Sequence, residues 1–192
     1  MTHRPLVFLD IETTGGSPYD SRITEIGAVR IEDGQEVARF SQLVNPGQSV
    51  PYFITKLTGI TDEMLWDQPA FGAIAGDLHR FLDGSIFVAH NVNFDYGFIK
   101  ESYRRMEKGA NFNMDRFCTA RLSRQLYPEQ RRHNLDTIIE THGIAVENRH
   151  RALDDAVVLH EFYKRAQEQH GLRVYAAINR ILVRTTVPGT TA

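Results

Sequence analysis

The feature that most constrains this chain is a pair of acids at the end of an apolar segment. Residues 5–11 (PLVFLDI) form a short apolar run, which predicts a strand buried on both faces. Alternation along that strand places Asp10 and Glu12 on the same face as Phe8. Burying two adjacent carboxylates is costly, and a bound metal cation offsets the cost. The other interpretation is a strand that ends at Leu9 and leaves both acids in solvent, since a lone D-x-E pattern is common by chance.

Two predicted helices also carry an acid on an otherwise apolar face. On the helix expected at 94–107, Asp95 falls near the middle of the apolar face. On the helix expected at 151–169, Asp155 lies inside the buried stripe, whereas Asp154 falls on the opposite face. The helix dipole favours an acid in the first turn, but it does not explain why the acid points inward. Inward carboxylates on three separate elements predict a site for hard cations such as Mg²⁺ or Mn²⁺ rather than a zinc cage.

The order of predicted elements indicates one mixed α/β domain. Strands at 22–31 and 36–44 follow the first strand, and Glu32-Asp33-Gly34-Gln35 between them is a hairpin signal. Strands then alternate with helices, which is typical of a sheet covered by helices, and 192 residues suffice for one sizeable core. The later strands are expected at 85–90 and near 113–117, and the helices at 51–58, 70–82, 94–107, 117–126, 134–142 and 151–169.

Composition narrows the classes of function. A net charge of −2 argues against a protein that coats nucleic acid in bulk, although basic residues can still line a local groove. The single cysteine, Cys118, excludes an internal disulfide framework and a multi-cysteine zinc site. The first apolar run is too short for a signal peptide, and no apolar stretch approaches membrane-spanning length. We therefore expect a soluble cytoplasmic protein without a membrane partner.

Three segments, in order, resemble the exonuclease motifs of the DEDDh class: FLDIETTG at 8–15, AHNVNFDYGFI at 89–99 and HRALDDA at 150–156. The overall pattern is similar to the exonuclease (epsilon) proofreading subunit of bacterial DNA polymerase III and its relatives, over roughly residues 5–168. The resemblance implies a ribonuclease-H-like fold, with a mixed five-stranded sheet flanked by helices. A tyrosine at position 151 would indicate the sister class, and the arginine found there assigns the chain to the histidine class.

The resemblance assigns the chemistry to five residues, which are Asp10, Glu12, Asp95, His150 and Asp155. The four acids would bind two Mg²⁺ or Mn²⁺ ions, and the histidine would act as general base toward the attacking water. The implied reaction is a two-metal hydrolysis of phosphodiester bonds from the 3′ end, which releases nucleoside 5′-monophosphates. A surface histidine at a helix N-terminus is the plain alternative for His150 taken alone.

The resemblance also implies a pocket for the 3′-terminal nucleotides. Its residues are Thr13, Thr14 and Gly15 around the sugar and 3′-hydroxyl, Leu57 and Phe94 against the bases, and His90 and Asn91 in the pocket wall. The alternatives have equal weight. Leu57 and Phe94 would then be core residues, and His90 would be a histidine at a strand end whose hydrogen bonds are satisfied within the protein. Six arginines form either a phosphate-tracking rim or a scattered surface set: Arg121, Arg124, Arg131, Arg132, Arg149 and Arg151.

The substrate implied by the resemblance is single-stranded DNA or a frayed 3′ end, met during proofreading or repair. Exonucleolytic trimming of RNA, and a non-catalytic nucleic-acid-binding module on the same fold, are the alternatives. We divide the chain into an exonuclease domain at 1–170 and a C-terminal tail at 171–192. Residues 172–183 either dock a polymerase or a second nuclease domain, or cap the core of this domain. The end from Thr185 to Ala192 has the composition of a linker.

Overall fold

A central sheet of five strands organises the chain, whose computed structural model describes residues 4–106 and 112–185. The strands are β1 (Leu6–Thr13), β2 (Ile23–Glu32), β3 (Gln35–Leu43), β4 (Ile86–Ala89) and β5 (Arg116–Cys118). Their order across the sheet is β3-β2-β1-β4-β5, with β1 antiparallel to β2 and parallel to β4, and with β4 parallel to β5. The mixed five-stranded sheet predicted for the chain is therefore confirmed.

The predicted hairpin between the second and third strands is confirmed and has a two-residue turn. Asp33 and Gly34 both have positive φ, at 48° and 81°. Two consecutive left-handed residues define the turn type that matches the twist of paired strands, which explains the Asp-Gly sequence at this point.

Helices cover both faces of the sheet. The predicted helices are confirmed with ends that differ by up to three residues, and the start of the helix predicted at 117–126 moves because β5 occupies residues 116–118. A one-turn helix that starts after Thr61 is not predicted by the sequence, since four residues show no periodicity. None of the helices within the described ranges is long and apolar enough to cross a membrane. The helices are α1 (Tyr52–Thr58), α2 (Asp62–Leu65), α3 (Phe71–Leu82), α4 (Asn93–Arg104), α5 (Thr119–Leu126), α6 (Leu135–His142), α7 (Ala152–His170) and α8 (Leu172–Ile181).

Alternation along β1 divides the apolar side chains between two cores, as predicted. Phe8 points into one core together with Phe162 of α7, and this core also takes side chains from α5, α6 and α8. Leu9 and Ile11 point into the other core, which α3 and α4 cover. The sheet is thus the middle layer of three, and both faces of β1 are buried.

Helix α8 packs on the same core as the helices before it. Val174, Ala177, Ile178 and Ile181 are buried within the cluster that contains α7 and β5. Beyond the helix, Val183 exchanges two backbone hydrogen bonds with Arg116 of β5, at 2.9 and 3.0 Å. The described part of the tail therefore packs on the core of the preceding residues, whether or not its outer face also serves as a docking surface. Apart from Thr185, the predicted linker at the end lies outside the described residues.

Candidate active site

The two acids of β1 stand at the edge of the sheet where the parallel strands end. Strand β1 continues to Thr13, so the interpretation in which it stops at Leu9 is wrong. Asp10 pairs in register with Gly27, and Glu12 pairs with Glu25. Because residues opposite each other in an antiparallel pair project from the same face, all four positions face α7. Ligands of open α/β sheets bind at this carboxyl edge.

Asp95 and Asp155 reach the same edge from two helices. Asp95 lies in the first turn of α4 and is 2% exposed, and Asp155 lies in the first turn of α7 and is 3% exposed. Asp154 is only partly buried, which agrees with its predicted place on the outer face of α7. Helix α4 follows the carboxyl end of β4, whereas α7 follows the loop after α6. The first turns of both helices bring their acids close enough to Asp10 to affect its ionisation.

Burial and mutual repulsion disfavour ionisation of the clustered carboxyls. Burial and the neighbouring Asp95 and Asp155 carboxylates raise the pKa of Asp10 well above its usual range. Burial and the Asp155 carboxylate raise the pKa of Glu12 to about 8. Burial also raises the pKa of Asp95 well above its usual range, and raises that of Asp155 to about 6. Each acid thus resists ionisation unless positive charge is supplied.

The donor set fits a hard divalent cation. Oxygens of Glu12 and Asp155 and a ring nitrogen of His150 lie within 4.8 Å of one another. The Oδ1 atom of Asp155 is buried and accepts no hydrogen bond from the described residues, although a buried carboxylate oxygen normally has a partner. Carboxylate oxygens are the ligands that Mg²⁺ and Mn²⁺ prefer.

His150 occupies a strained turn immediately before α7. Its φ is +62°, a left-handed conformation that is uncommon outside glycine. Partial burial and the Arg149 guanidinium lower the pKa of the imidazole below its ordinary value of 6.5. The ring is therefore neutral at pH 7 and able to accept a proton.

The arginines on either side of His150 are both engaged by carboxylates. Arg149 pairs with Asp155 and, at 2.9 Å, with Asp136. Arg151 pairs with Glu25 at 2.7 Å. These two guanidiniums therefore fix the turn that carries His150, which is not the phosphate-tracking role suggested for them from the sequence.

The loop after β1 is closely packed. The hydroxyl of Thr13 donates to the carbonyl of Gly15 at 2.7 Å. The hydroxyl of Thr14 accepts from the side-chain amide of Gln48 at 2.7 Å and from the backbone N–H of Arg22 at 3.0 Å. Both threonines are buried, so the main chain of this loop is held firmly beside Glu12.

The remaining residues expected at a nucleotide pocket differ in exposure. Leu57 is 52% exposed on α1, so the explanation of this residue as core is wrong. Phe94 is partly buried, and the centroid of its ring lies 4.9 Å from that of Phe98. Leu57 and Phe94 are thus available as apolar surface to different degrees.

His90 and Asn91 line a groove at the carboxyl ends of β4 and β5. The Nδ1 atom of His90 lies 3.0 Å from the Thr119 hydroxyl, and burial lowers the pKa of the ring to about 4. Asn91 is exposed and has a φ of +59°. The groove has a volume of about 400 Å³, and Arg121 and Arg124 of α5 also line it.

Glu25 is the site residue that sequence reasoning missed. It is 2% exposed, and its carboxylate accepts hydrogen bonds from Arg151 and from the backbone N–H of Ala152. A signal was available, because alternation along β2 places Glu25 on the same face as Val29 and Ile31. This is the same pattern of an acid on an apolar face that identified Asp10.

A mixed five-stranded sheet with acids converging at its carboxyl edge defines the class of ribonuclease-H-like exonucleases. The chain belongs to the Exonuclease family, whose model matches residues 7–163.

Relatives agree with this assignment. DNA polymerase III subunit epsilon of Aquifex aeolicus is 34% identical over 179 residues, 91% of this chain and 88% of that protein. DNA polymerase III PolC-type of Clostridium perfringens is 41% identical over 158 residues, 82% of this chain but 11% of that protein. Among solved structures, Exonuclease X in complex with 5′ overhanging duplex DNA has a TM-score of 0.67 at 27% identity, covering 86% of this chain and 93% of that one.

Proposed function

We propose that this chain hydrolyses DNA from the 3′ end by a two-metal mechanism, releasing nucleoside 5′-monophosphates, with His150 as general base. The observation that carries the proposal is the group formed by Glu12, Asp155 and His150, whose ligand atoms lie within 4.8 Å of one another, with Asp10 and Asp95 close enough to interact electrostatically. Trimming of RNA 3′ ends is the alternative, because the site chemistry acts on a phosphodiester in either polymer.

Asp10, Glu12, Asp95 and Asp155 would hold the two Mg²⁺ or Mn²⁺ ions. When bound, such ions supply positive charge to the attacking and leaving oxygens of an in-line displacement. The raised pKa values of the four carboxyls support this role, because bound cations are what allow all of them to ionise together.

His150 would take the proton from the attacking water. A ring nitrogen of His150 lies within 4.8 Å of oxygens of Glu12 and Asp155, and the ion pairs of Arg149 and Arg151 hold the main chain on both sides of it. Its lowered pKa keeps it neutral at pH 7, which is the form that accepts a proton.

The 3′-terminal nucleotide would lie between the loop after β1 and the first turn of α4. The main chain of Thr13, Thr14 and Gly15 would face its sugar and 3′-hydroxyl, and His90 and Asn91 would form the pocket wall. Leu57, exposed on α1, and the partly buried ring of Phe94 would contact its bases without selecting among them.

The groove beside the site extends this contact to the sugar–phosphate backbone. Arg121 and Arg124 line it, and neither has a carboxylate oxygen within 4.0 Å in the part of the chain that the structure describes. The groove adjoins His90 and Asn91 at the same carboxyl edge. We assign the phosphate contacts to this pair rather than to all six arginines considered from the sequence.

DNA is the favoured substrate because the relatives are named as DNA polymerase III components and Exonuclease X was solved with overhanging duplex DNA. Single-stranded DNA or a frayed 3′ end, presented during proofreading or repair, fits a site at an open sheet edge. A polymerase, or a second nuclease domain in the same protein, would be the partner, reached through residues 171–192.

The decisive experiment follows a 5′-labelled single-stranded DNA oligonucleotide with Mg²⁺, with Mn²⁺ and with EDTA. Asp155→Asn should abolish shortening from the 3′ end, whereas its neighbour variant Asp154→Asn should keep it, because only Asp155 faces the cluster. A matched RNA oligonucleotide in parallel ranks the two polymers. Metal-supplemented wild type that leaves both polymers intact would favour a non-catalytic binding module.

A further inference from the structure

Glu25 is a buried carboxylate that links β2 to the start of α7. Its oxygens accept from Nε of Arg151 at 3.1 Å, from Nη2 of the same residue at 2.7 Å, and from the backbone N–H of Ala152 at 3.0 Å. Ala152 is the first residue of α7, so the carboxylate caps a helix N-terminus and pairs with the guanidinium just before it. One side chain therefore fixes both the backbone and the side chain at this point.

Gly27 allows the same helix to lie directly on the strand. A Cβ atom at Gly27 would come within 2.0–2.4 Å of backbone atoms of Ala152 and Leu153. Only glycine leaves room for this approach. Glu25 and Gly27 are two residues apart on β2 and share a face. Gly27 lets α7 approach the strand closely, and Glu25 holds the first residue of the helix by hydrogen bonds.

This contact lies beside the reacting groups. Gly27 pairs in register with Asp10, and Glu25 with Glu12, so the start of α7 rests on the strand next to both acids. Asp155 follows Ala152 by three residues, and His150 precedes Arg151. The contact of Glu25 with Arg151 and Ala152 therefore lies between His150 and Asp155 in the chain and next to Glu12 in the sheet.

We propose that Glu25 is a positioning residue, which holds His150 and Asp155 at working distance from Asp10 and Glu12. The inference rests on the proposed function. Although Glu25 stands next to Glu12 at the same edge, its hydrogen bonds to Arg151 and Ala152 use both of its oxygens. It therefore serves the site by anchoring α7 rather than by binding a cation.

Three variants test this role: Glu25→Gln, Arg151→Gln and the matched control Glu101→Gln. Glu101 is also a buried carboxylate paired with arginines, but its partners are near in sequence: Arg104 of α4 at 2.7 Å and Arg105, the residue after α4, at 3.4 Å. For each variant the measurements are the thermal midpoint, the Kd for Mn²⁺ without nucleic acid, and kcat and KM on labelled DNA. Wild type is carried through all of them.

We expect Glu25→Gln to lower kcat and to weaken Mn²⁺ binding, each by about 10–100-fold, with KM for DNA little changed. Arg151→Gln leaves the contact with Ala152 in place, so it should give smaller losses in the same direction, and it supplies the answer if Glu25→Gln does not fold. Glu101→Gln should lose thermal stability but keep the kcat and Mn²⁺ affinity of the wild type.

A folded Glu25→Gln protein with wild-type kcat and Mn²⁺ affinity would overturn the proposal, as would equal losses in Glu101→Gln. Failure of the proposed function looks different, because the wild type itself would then cleave neither DNA nor RNA. In that event the Mn²⁺ affinities of the variants alone decide whether Glu25 positions the acids.

Discussion

At the scale of single residues, the raised pKa of Glu12 makes the metal-free protein sensitive to pH. The folded pKa of about 8 lies above the ordinary value of 4.5, so the native state holds a proton that the unfolded chain has lost. The contribution of Glu12 to stability therefore falls as pH rises from about 4.5 to about 8. The cause is burial together with the repulsion from Asp155.

Glu12→Gln tests this directly. In EDTA at pH 8 the variant should unfold at a higher temperature than the wild type, and the difference should shrink toward pH 5. Added Mn²⁺ should then raise the midpoint of the wild type more than that of the variant. Asp154→Asn, outside the cluster, serves as control and should follow the wild type at both pH values. A Glu12→Gln midpoint below the wild type at pH 8 in EDTA would contradict the argument.

His150 could act as general base or as a metal ligand, and measurements of kcat and of the Kd for Mn²⁺ separate the two roles. As general base, it contributes to the transition state, so His150→Ala should lower kcat by about 10²–10⁴-fold. Its ring nitrogen also lies close enough to Glu12 and Asp155 to share a cation with them. We expect the Kd for Mn²⁺ to stay near the wild-type value, and a large rise in Kd would make the histidine a ligand instead.

At the scale of elements, the close contact between the first turn of α7 and Gly27 of β2 should tolerate no added atom at that glycine. Gly27→Ala places a methyl group against the backbone of the first turn of α7, and backbone cannot move aside as a side chain can. We expect a loss of at least about 1–3 kcal/mol in the free energy of unfolding. Chemical denaturation measures it, and Gly72→Ala, on α3 with open space around it, is the control and should change little.

The elements also show what the sequence could and could not predict. Period-2 alternation predicted the faces of β1, and helical periodicity predicted that Asp95 and Asp155 point inward, because each pattern is local. The anchoring of α7 by Glu25 joins residues 126 positions apart in the chain, and no local pattern reports such a contact. Helix α2 was missed for a simpler reason, since one turn is too short to show a period.

At the scale of the whole molecule, the groove beside the site should control affinity rather than chemistry. Arg121→Gln/Arg124→Gln should raise the Kd for single-stranded DNA and lower the salt dependence of binding by about one to two ions, with kcat at saturation retained. Arg80→Gln/Arg173→Gln removes the same charge from two exposed positions elsewhere and serves as control. Equal losses in both double variants would indicate a general charge effect. A duplex with a recessed 3′ end, run in parallel, tells whether the degraded strand or its complement occupies the groove.

The last prediction concerns α8, because the stability that this helix contributes shows where the nuclease unit ends. Four side chains of α8 are buried in the core that also contains Phe8 and α7, whose first turn carries Asp155. A chain that stops at residue 170 exposes the apolar surface beneath α8. Ile178→Ala alone should then cost about 2–4 kcal/mol, whereas Leu172→Ala, 79% exposed on the same helix, should cost little. Urea denaturation of the two variants and of the shortened chain measures these costs.

If all three keep wild-type stability, α8 is a detachable docking element and the nuclease unit ends at residue 170. If only the buried changes destabilise, α8 belongs to the nuclease core, and any partner must bind its outer face.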